Sequence, residues 1–414
     1  MSGGRAPAPP TGPVPGASSG PGGGRRLRVA VADDSSFIRR AIARLLDQEP
    51  DLQLVGSAGS GEELLDQIER WNPDAVVLDL SMPGMGGLAT LDRIMATRPT
   101  PVLILSTHSK KDAPQTIEAL HRGAMDFIDK QQYSLVDFDA LRAVLLEKLR
   151  QITGRADWRG PAPAAGGGTT APRSASVVPQ IAVDGAVPAA AAQPGRIEVV
   201  LIGASTGGPP ALEGLLRDFS TGVPAAPIAP LAPLAPLAPL APLAPIVIVQ
   251  HMPAGFTRAF ADRLNAYLPL QVREATHQEP LLPGTVYIAP GGLHLRIQRE
   301  AGGLRANLST SPETAIHRPS VDVLFASAAE AVGARAVAAL LTGMGSDGAA
   351  GMTALARAGA HTLAQDEATS VVYGMPRAAV VAGAVREILP LDRIGGRLRE
   401  LVLGEAGGAA PDGA

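Results

Sequence analysis

Cysteine is absent from the 414 residues. That excludes disulfides, thiolate metal sites and a cysteine nucleophile, and it fits a reducing compartment. Any imidazole chemistry falls to seven histidines. An excess of one charge is also lacking: 36 Lys and Arg against 39 Asp and Glu leave a formal net charge of -3. No general positive field therefore exists to attract nucleic acid or an acidic membrane. No segment approaches the roughly 18 consecutive apolar residues of a membrane span. The first 24 residues are rich in Pro and Gly and lack the apolar centre of a signal peptide. The expectation is a soluble, cytoplasmic protein with no nucleic acid partner and no membrane insertion.

What is present is apolar residue in quantity, 46% of the chain. That is enough for two cores of about 100 to 200 residues each, with connecting material to spare. Order is expected from Leu27, where the run LRVAVA meets Asp33 and Asp34. A helical pattern follows from Ser36 to Asp47, with Phe37, Ile38, Ala41, Leu45 and Leu46 on one face. The alternation continues with strands at residues 54–58, 75–80, 102–105 and 126–128, and helices around 62–71, 88–97, 113–122 and 138–152. Apolar strands alternating with helices predict a parallel sheet covered on both faces, with its chemistry at the carboxyl ends of the strands.

Residues 153–195 are mostly small residues and proline without periodicity, which predicts a disordered linker. A second α/β pattern occupies 196–404, with strands expected at 197–202, 246–249, 286–289, 336–341 and 361–364. Within it, 224–245 is a low-complexity insert in which Ala-Pro-Leu recurs; its prolines forbid helix and central strand, and it reads as a loop extension. Residues 1–26 and 405–414 read as disordered tails.

In the first pattern, Asp33 and Asp34 end the first strand, Asp79 the third and Ser106 the fourth, while Lys130 follows the fifth. A doubly wound sheet brings all five to one edge. Three carboxylates together repel one another unless a hard divalent cation such as Mg²⁺ shares them. Asp79 is then placed to attack a phosphoryl group, with Mg²⁺ and Lys130 offsetting charge and Ser106 donating to the product. Residues 27–152 resemble the response-regulator receiver domain through VADDSSFIRR, VVLDLSMPGMGG, ILS and GAMDFIDK. The resemblance implies Asp79 as the phosphorylated residue, Asp33, Asp34 and Asp79 as the Mg²⁺ site, Ser106 and Phe127 as a switch pair, and Lys130 as phosphate contact. Gln131 departs from the pattern, standing where receivers usually carry proline.

In the second pattern, the strand ending at Ile202 runs into GASTGGPPAL, where Gly203, Ser205 and Gly207 form a G-x-S-x-G turn that presents Ser205 beside backbone N–H groups. A serine hydroxyl needs a base. His251 follows the strand IVIVQ and is placed to take its proton, and Asp347, in TGMGSDG, is placed to orient the imidazole. His294 and Asp322 are the nearest competitors for these roles. This half resembles the catalytic domain of the chemotaxis protein-glutamate methylesterases in IGASTGGPPAL, VIVQHMPAGFTRAFADRL, VYIAPGGLHL, RPSVDVLFASAA, LLTGMGSDGAAGM and AQDEATSVVYGMPRAA. The Ala-Pro-Leu insert is not part of that pattern.

The resemblance implies Ser205 as nucleophile, His251 as base, Asp347 as orienting acid, and Thr206 and Met344 on the oxyanion or substrate side, with His294 and Asp322 outside the triad as structural or substrate-lining residues. It implies hydrolysis of glutamyl γ-methyl esters on methyl-accepting chemoreceptors, and deamidation of particular glutamines, with no metal in the esterase step. A chemotaxis histidine kinase is the implied phosphodonor. The fold class expected is α/β: two doubly wound parallel-sheet domains, the first flavodoxin-like and the second Rossmann-like. Three rivals are a non-catalytic adaptor, a receiver-controlled transcription factor and a hydrolase acting on another ester or amide. The second is disfavoured because the output half carries no helix-turn-helix pattern or basic stripe.

Overall fold

The first sheet is laid down by five short strands separated by helices: β1 (Leu27–Ala32), α1 (Ser36–Asp47), β2 (Leu52–Ala58), α2 (Gly61–Trp71), β3 (Ala75–Asp79), α3 (Gly86–Thr97), β4 (Val102–Ser106), α4 (Asp112–His121), β5 (Asp126–Asp129) and α5 (Phe138–Thr153). The computed structural model describes residues 25–106, 112–130, 138–153, 196–221 and 243–404. Gln131 and most of the expected tails, linker and Ala-Pro-Leu insert lie outside these residues.

The strands pair in parallel in the order β2-β1-β3-β4-β5. Alternation divides their side chains between two apolar layers. Val29, Val31, Val77 and Leu103 pack with Leu46 of α1 and Leu149 of α5. Ala30, Val76 and Ile104 pack with Leu64 of α2, Ile94 of α3 and Ile117 of α4. Local signals set the helix ends. Ser60 Oγ accepts from the Glu63 N–H at 3.2 Å while Glu63 reaches back to the Gly59 N–H at 2.6 Å, a reciprocal cap for the start of α2.

The second sheet is built from β6 (Val199–Ala204), α6 (Gly208–Phe219), β7 (Ile246–Gln250), α7 (Phe256–Tyr267), β8 (Gln271–Glu274), β9 (Thr285–Ile288), the hairpin β10 (His294–Glu300) and β11 (Gly303–Ser309), α8 (Val321–Ala331), β12 (Ala336–Leu340), α9 (Ala349–Arg357), β13 (His361–Gln365), α10 (Met375–Val381), β14 (Glu387–Leu389) and α11 (Leu391–Leu403). Its seven strands run parallel in the order β14-β13-β12-β6-β7-β9-β8. Apolar side chains of α6, α7 and α11 cover one face, and those of α8, α9 and α10 the other. The chain leaves β6 toward β7 and later returns on its other side as β12, so the winding reverses between β6 and β12. Parallel sheets open a crevice at such a point.

The α/β class and both parallel sheets agree with the sequence pattern, whose strand limits fall within a few residues of those observed. Strands β8, β10, β11 and β14 escape the pattern. The sequence QVRE of β8 and the hairpin strands mix exposed polar with buried apolar positions, and β14 has three residues.

The two halves touch. Helix α4 packs on α7 and α6, and its Ala113, Ile117 and Leu120 share one apolar cluster with Phe256 and Phe260. Glu118 pairs with Arg263, and His121 Nδ1 lies 2.9 Å from Glu213 Oε2.

Tyr287, fully buried on β9, donates its hydroxyl to the Pro280 carbonyl at 3.0 Å and accepts from the Leu282 N–H at 2.9 Å. Tyr287→Phe leaves both groups without that partner and is expected to cost about 1–3 kcal/mol, read as a lower denaturant midpoint at unchanged slope. An unchanged midpoint would show that the pair finds other partners.

Candidate active site

Ser205 directly follows β6, and the residues after it must turn at once into α6. Glycine makes this possible. Gly207 has φ of 75°, and a Cβ on Gly208 would stand 1.9 Å from Gln250 Oε1. The Ser205 backbone is fixed on both sides: its N–H donates to the Thr342 carbonyl at 3.0 Å, and its carbonyl accepts from Gln250 Nε2 at 2.9 Å. His251 follows β7, and its N–H donates to the Ala204 carbonyl at 3.2 Å. Asp347 lies in the loop from β12 to α9. The three residues thus leave adjacent strands at the point where the winding reverses.

His251 Nε2–H donates to Asp347 Oδ2 at 2.7 Å. The same carboxylate accepts from the start of α8: the Ser320 hydroxyl at 2.8 Å, the Val321 N–H at 2.7 Å and the Asp322 N–H at 3.0 Å. Burial pushes the Asp347 carboxyl up, but the His251 hydrogen bond and charge, with the Asp322 and Val321 N–H groups, outweigh it and hold it well below the usual carboxylate range. It is therefore ionised at neutral pH. His251 Nδ1 is buried and without a hydrogen-bond partner among the described residues. With Nε2–H committed to Asp347, Nδ1 is the nitrogen free to take a proton, and His251 lines the same cleft as Ser205.

The His317 ring stacks on the His251 ring, with centroids 4.0 Å apart and planes 18° from parallel. Burial, then the neighbouring His251 charge, pushes His317 down to about 4, so at neutral pH it presents an uncharged face to the imidazole beneath it. Asp322, on α8, accepts the Gly351 N–H at 2.7 Å and so ties α8 to the first turn of α9, behind Asp347. Burial raises its carboxyl. His294 is wholly buried on β10, and its Nε2 lies 3.2 Å from the Pro312 carbonyl. Neither of these two residues hydrogen-bonds Ser205 or His251.

Thr206 and Met344 line the cleft beside Ser205 and His251, and so do Asp126, Phe127 and Lys148 from the first half of the chain. Its volume is about 380 Å³. The Thr206 hydroxyl donates to Asp126 Oδ2 at 2.6 Å, and the Phe127 and Phe256 rings lie 4.6 Å apart between centroids. The mouth of the Ser205 site is therefore covered by the start of β5.

The acidic group on the first sheet also assembles. One carboxylate oxygen each from Asp33, Asp34 and Asp79 lies within 4.8 Å of the others. Asp33 and Asp79 are buried and Asp34 is exposed. Lys130 Nζ lies 2.8 Å from Asp33 Oδ2 and 3.1 Å from Asp79 Oδ2. Burial raises the Asp33 carboxyl against the opposing pull of Lys130. An all-oxygen set at this spacing suits a hard divalent cation. Ser106 Oγ is 2.6 Å from Thr116 Oγ1, one strand away from Phe127.

The candidate residues thus gather at two places, Ser205, Thr206, His251, Met344 and Asp347 at one, and Asp33, Asp34, Asp79, Ser106 and Lys130 at the other, with Phe127 between the halves. Sequence reasoning missed His317, the α8 donors, Asp126 and Lys148. The HRPS segment before α8 is the one local signal that marks His317.

His317 supplies a pH dependence with a definite sign. An unfolded histidine takes its proton near 6.5, whereas here it does so near 4. Between those values the unfolded chain binds more protons, so stability falls as pH drops from 6.5 toward 4. Denaturant midpoints across this window should depend less on pH in His317→Phe. Equal slopes in the two proteins would assign the effect to other groups.

Comparison with known proteins follows the same division. The family model described as CheB methylesterase matches residues 229–398, and that described as response regulator receiver domain matches 29–142. A protein-glutamate methylesterase/protein-glutamine glutaminase 2 of Bordetella avium is 40% identical over 387 residues, covering 90% of this chain and 97% of the relative. One of Nitratidesulfovibrio vulgaris is 41% identical over 374 residues, covering 88% and 96%. Among solved structures, the crystal structure of the Thermotoga maritima CheB methylesterase catalytic domain is 37% identical, with TM-score 0.44, covering 50% of this chain and 99% of that one.

Proposed function

The chain belongs to the CheB methylesterase family, with a response regulator receiver domain ahead of the esterase half, and from that premise we propose that it is a protein-glutamate methylesterase of sensory adaptation whose receiver controls access to Ser205. We assign the receiver to residues 27–152 and the catalytic domain to 196–404. The observation that carries the activity is the 2.7 Å His251–Asp347 hydrogen bond, which leaves the second imidazole nitrogen free in the cleft that holds Ser205.

In this reading Ser205 Oγ attacks the carbonyl carbon of a glutamyl γ-methyl ester and passes its proton to His251 Nδ1. The resulting imidazolium is stabilised by Asp347 and gives that proton to the departing methanol. Water then attacks the Ser205 ester, with His251 as base, to release the glutamate carboxylate and restore the serine. Thr206 and Met344 lie beside the reacting carbonyl. His317, neutral and stacked, holds the plane of the His251 ring. The same attack on a glutamine side chain would release ammonia, which is deamidation. The substrate is a methyl-accepting chemoreceptor, and the compartment is the cytoplasm.

Control begins at Asp79. A chemotaxis histidine kinase supplies the phosphoryl group. Asp33, Asp34 and Asp79 would hold Mg²⁺, which when bound offsets charge on the phosphoryl oxygens. Lys130 contacts the phosphate, and the Ser106 hydroxyl donates to one of its oxygens. Phe127, on the strand beside Ser106, is pressed against Phe256 of the catalytic half. A change in its packing therefore bears directly on the closed cleft. A tenfold change in the accessible fraction needs only about 1.4 kcal/mol of differential stabilisation.

Methanol release from methylated receptor tests both halves. Ser205→Ala should lower the rate by roughly 10⁴-fold or more. Asp79→Ala should keep the basal rate and lose stimulation by a small-molecule phosphodonor with Mg²⁺. Release that survives Ser205→Ala would remove the serine mechanism; stimulation that survives Asp79→Ala would remove the phosphorylation site.

A further inference from the structure

Asp126 opens β5 of the receiver, yet it hydrogen-bonds the other half of the chain. Its Oδ2 accepts the Thr206 hydroxyl at 2.6 Å, in buried surroundings, and also pairs with Lys148 of α5. Its Oδ1 accepts the Phe127 N–H at 2.8 Å. Asp126 itself is 9% exposed, and Thr206 is 2% exposed and adjacent in sequence to Ser205. A side-chain carboxylate therefore stands at the mouth of the esterase cleft, hydrogen-bonded to the residue next to the nucleophile. Hydrolysis of a glutamyl methyl ester converts a neutral ester to that same chemical group.

We propose that Asp126 is a tethered product analogue, a carboxylate carried by the receiver that occupies the Thr206 hydroxyl as the product glutamate does. The inference rests on the closed-receiver reading above and adds its chemistry: closure is competition for one donor as well as obstruction. Asp126 arrives with its own counter-charge, because Lys148 belongs to the same domain. The plug is close to neutral as a pair, which lowers the cost of burying it against Thr206. When the receiver departs, Lys148 leaves with Asp126. A newly formed glutamate then meets the Thr206 hydroxyl without an ammonium to hold it, and product release is not impeded by a buried ion pair. Phe127 follows Asp126 in sequence and packs on Phe256, so a shift of that ring moves the carboxylate with it.

The test uses the full chain, without phosphodonor, and measures methanol release from methylated receptor. Asp126→Ala should raise the basal rate about tenfold, the effect of losing one buried charged hydrogen bond from the closed state. Asp126→Asn should rise less, because its amide oxygen still accepts from Thr206. Phosphorylation of Asp79 by the donor, which needs a folded receiver, should persist in both. Arg263→Glu, which breaks the Glu118–Arg263 pair away from the cleft, reports opening independently. If Arg263→Glu raises the basal rate and Asp126→Ala does not, closure stands and the product-analogue role is wrong. If neither raises it, the closed-receiver reading fails and this inference falls with it.

Discussion

The Asp347 carboxylate, with its side chain 10% exposed, cannot remain charged without donors. It has four: His251 Nε2–H, the Ser320 hydroxyl and the N–H groups of Val321 and Asp322. This one requirement fixes much of the site. It locks the start of α8 against the loop before α9, with Asp322 returning a bond to Gly351. It also fixes which imidazole nitrogen carries the proton, and hence which one is left to accept another. Stabilisation of an imidazolium follows from the same arrangement, because a buried anion whose other lone pairs are occupied is held in place for the cation it must meet.

The same physics governs how the halves meet. Each parallel sheet delivers its reactive groups to the carboxyl ends of its strands, and β5, from Asp126 onward, lies over the edge that holds Ser205. The contact mixes apolar packing of α4 on α7 with partly exposed ion pairs such as Glu118–Arg263 and His121–Glu213. Pairs that keep part of their surface in water are screened by it and contribute less than their short distances suggest. Such a surface can hold the halves together and still release them for a modest change in free energy at Asp79. The buried Asp126–Thr206 bond is the part of the contact that a loose surface would not supply.

Much of this was legible in the sequence because both sheets are parallel. Strands buried on both faces read as unbroken apolar runs, as in LRVAVA, AVVLD and IVIVQ, and the residues that end such runs are the ones that carry chemistry. Asp33, Asp79, Ser205 and His251 stand at such ends. Asp347 is found through its glycine-rich loop. The hairpin β10–β11 and the edge strands β8 and β14 were not legible, since partly exposed strands lose the run without gaining clean alternation. His317, Lys148 and the Asp126–Thr206 bond were hidden for a different reason. Each depends on segments far apart in sequence, 80 residues in the case of Asp126 and Thr206, meeting across a surface that no local pattern encodes.

The central claim, that the receiver edge covers the Ser205 cleft and is released by phosphorylation of Asp79, is tested most directly by amide hydrogen exchange of the full chain with and without phosphodonor and Mg²⁺. The account predicts faster exchange along α4, α7 and the turn after Ser205 when the donor is present, with the centres of both sheets unchanged. Exchange in those segments that stays the same while methanol release rises would contradict it.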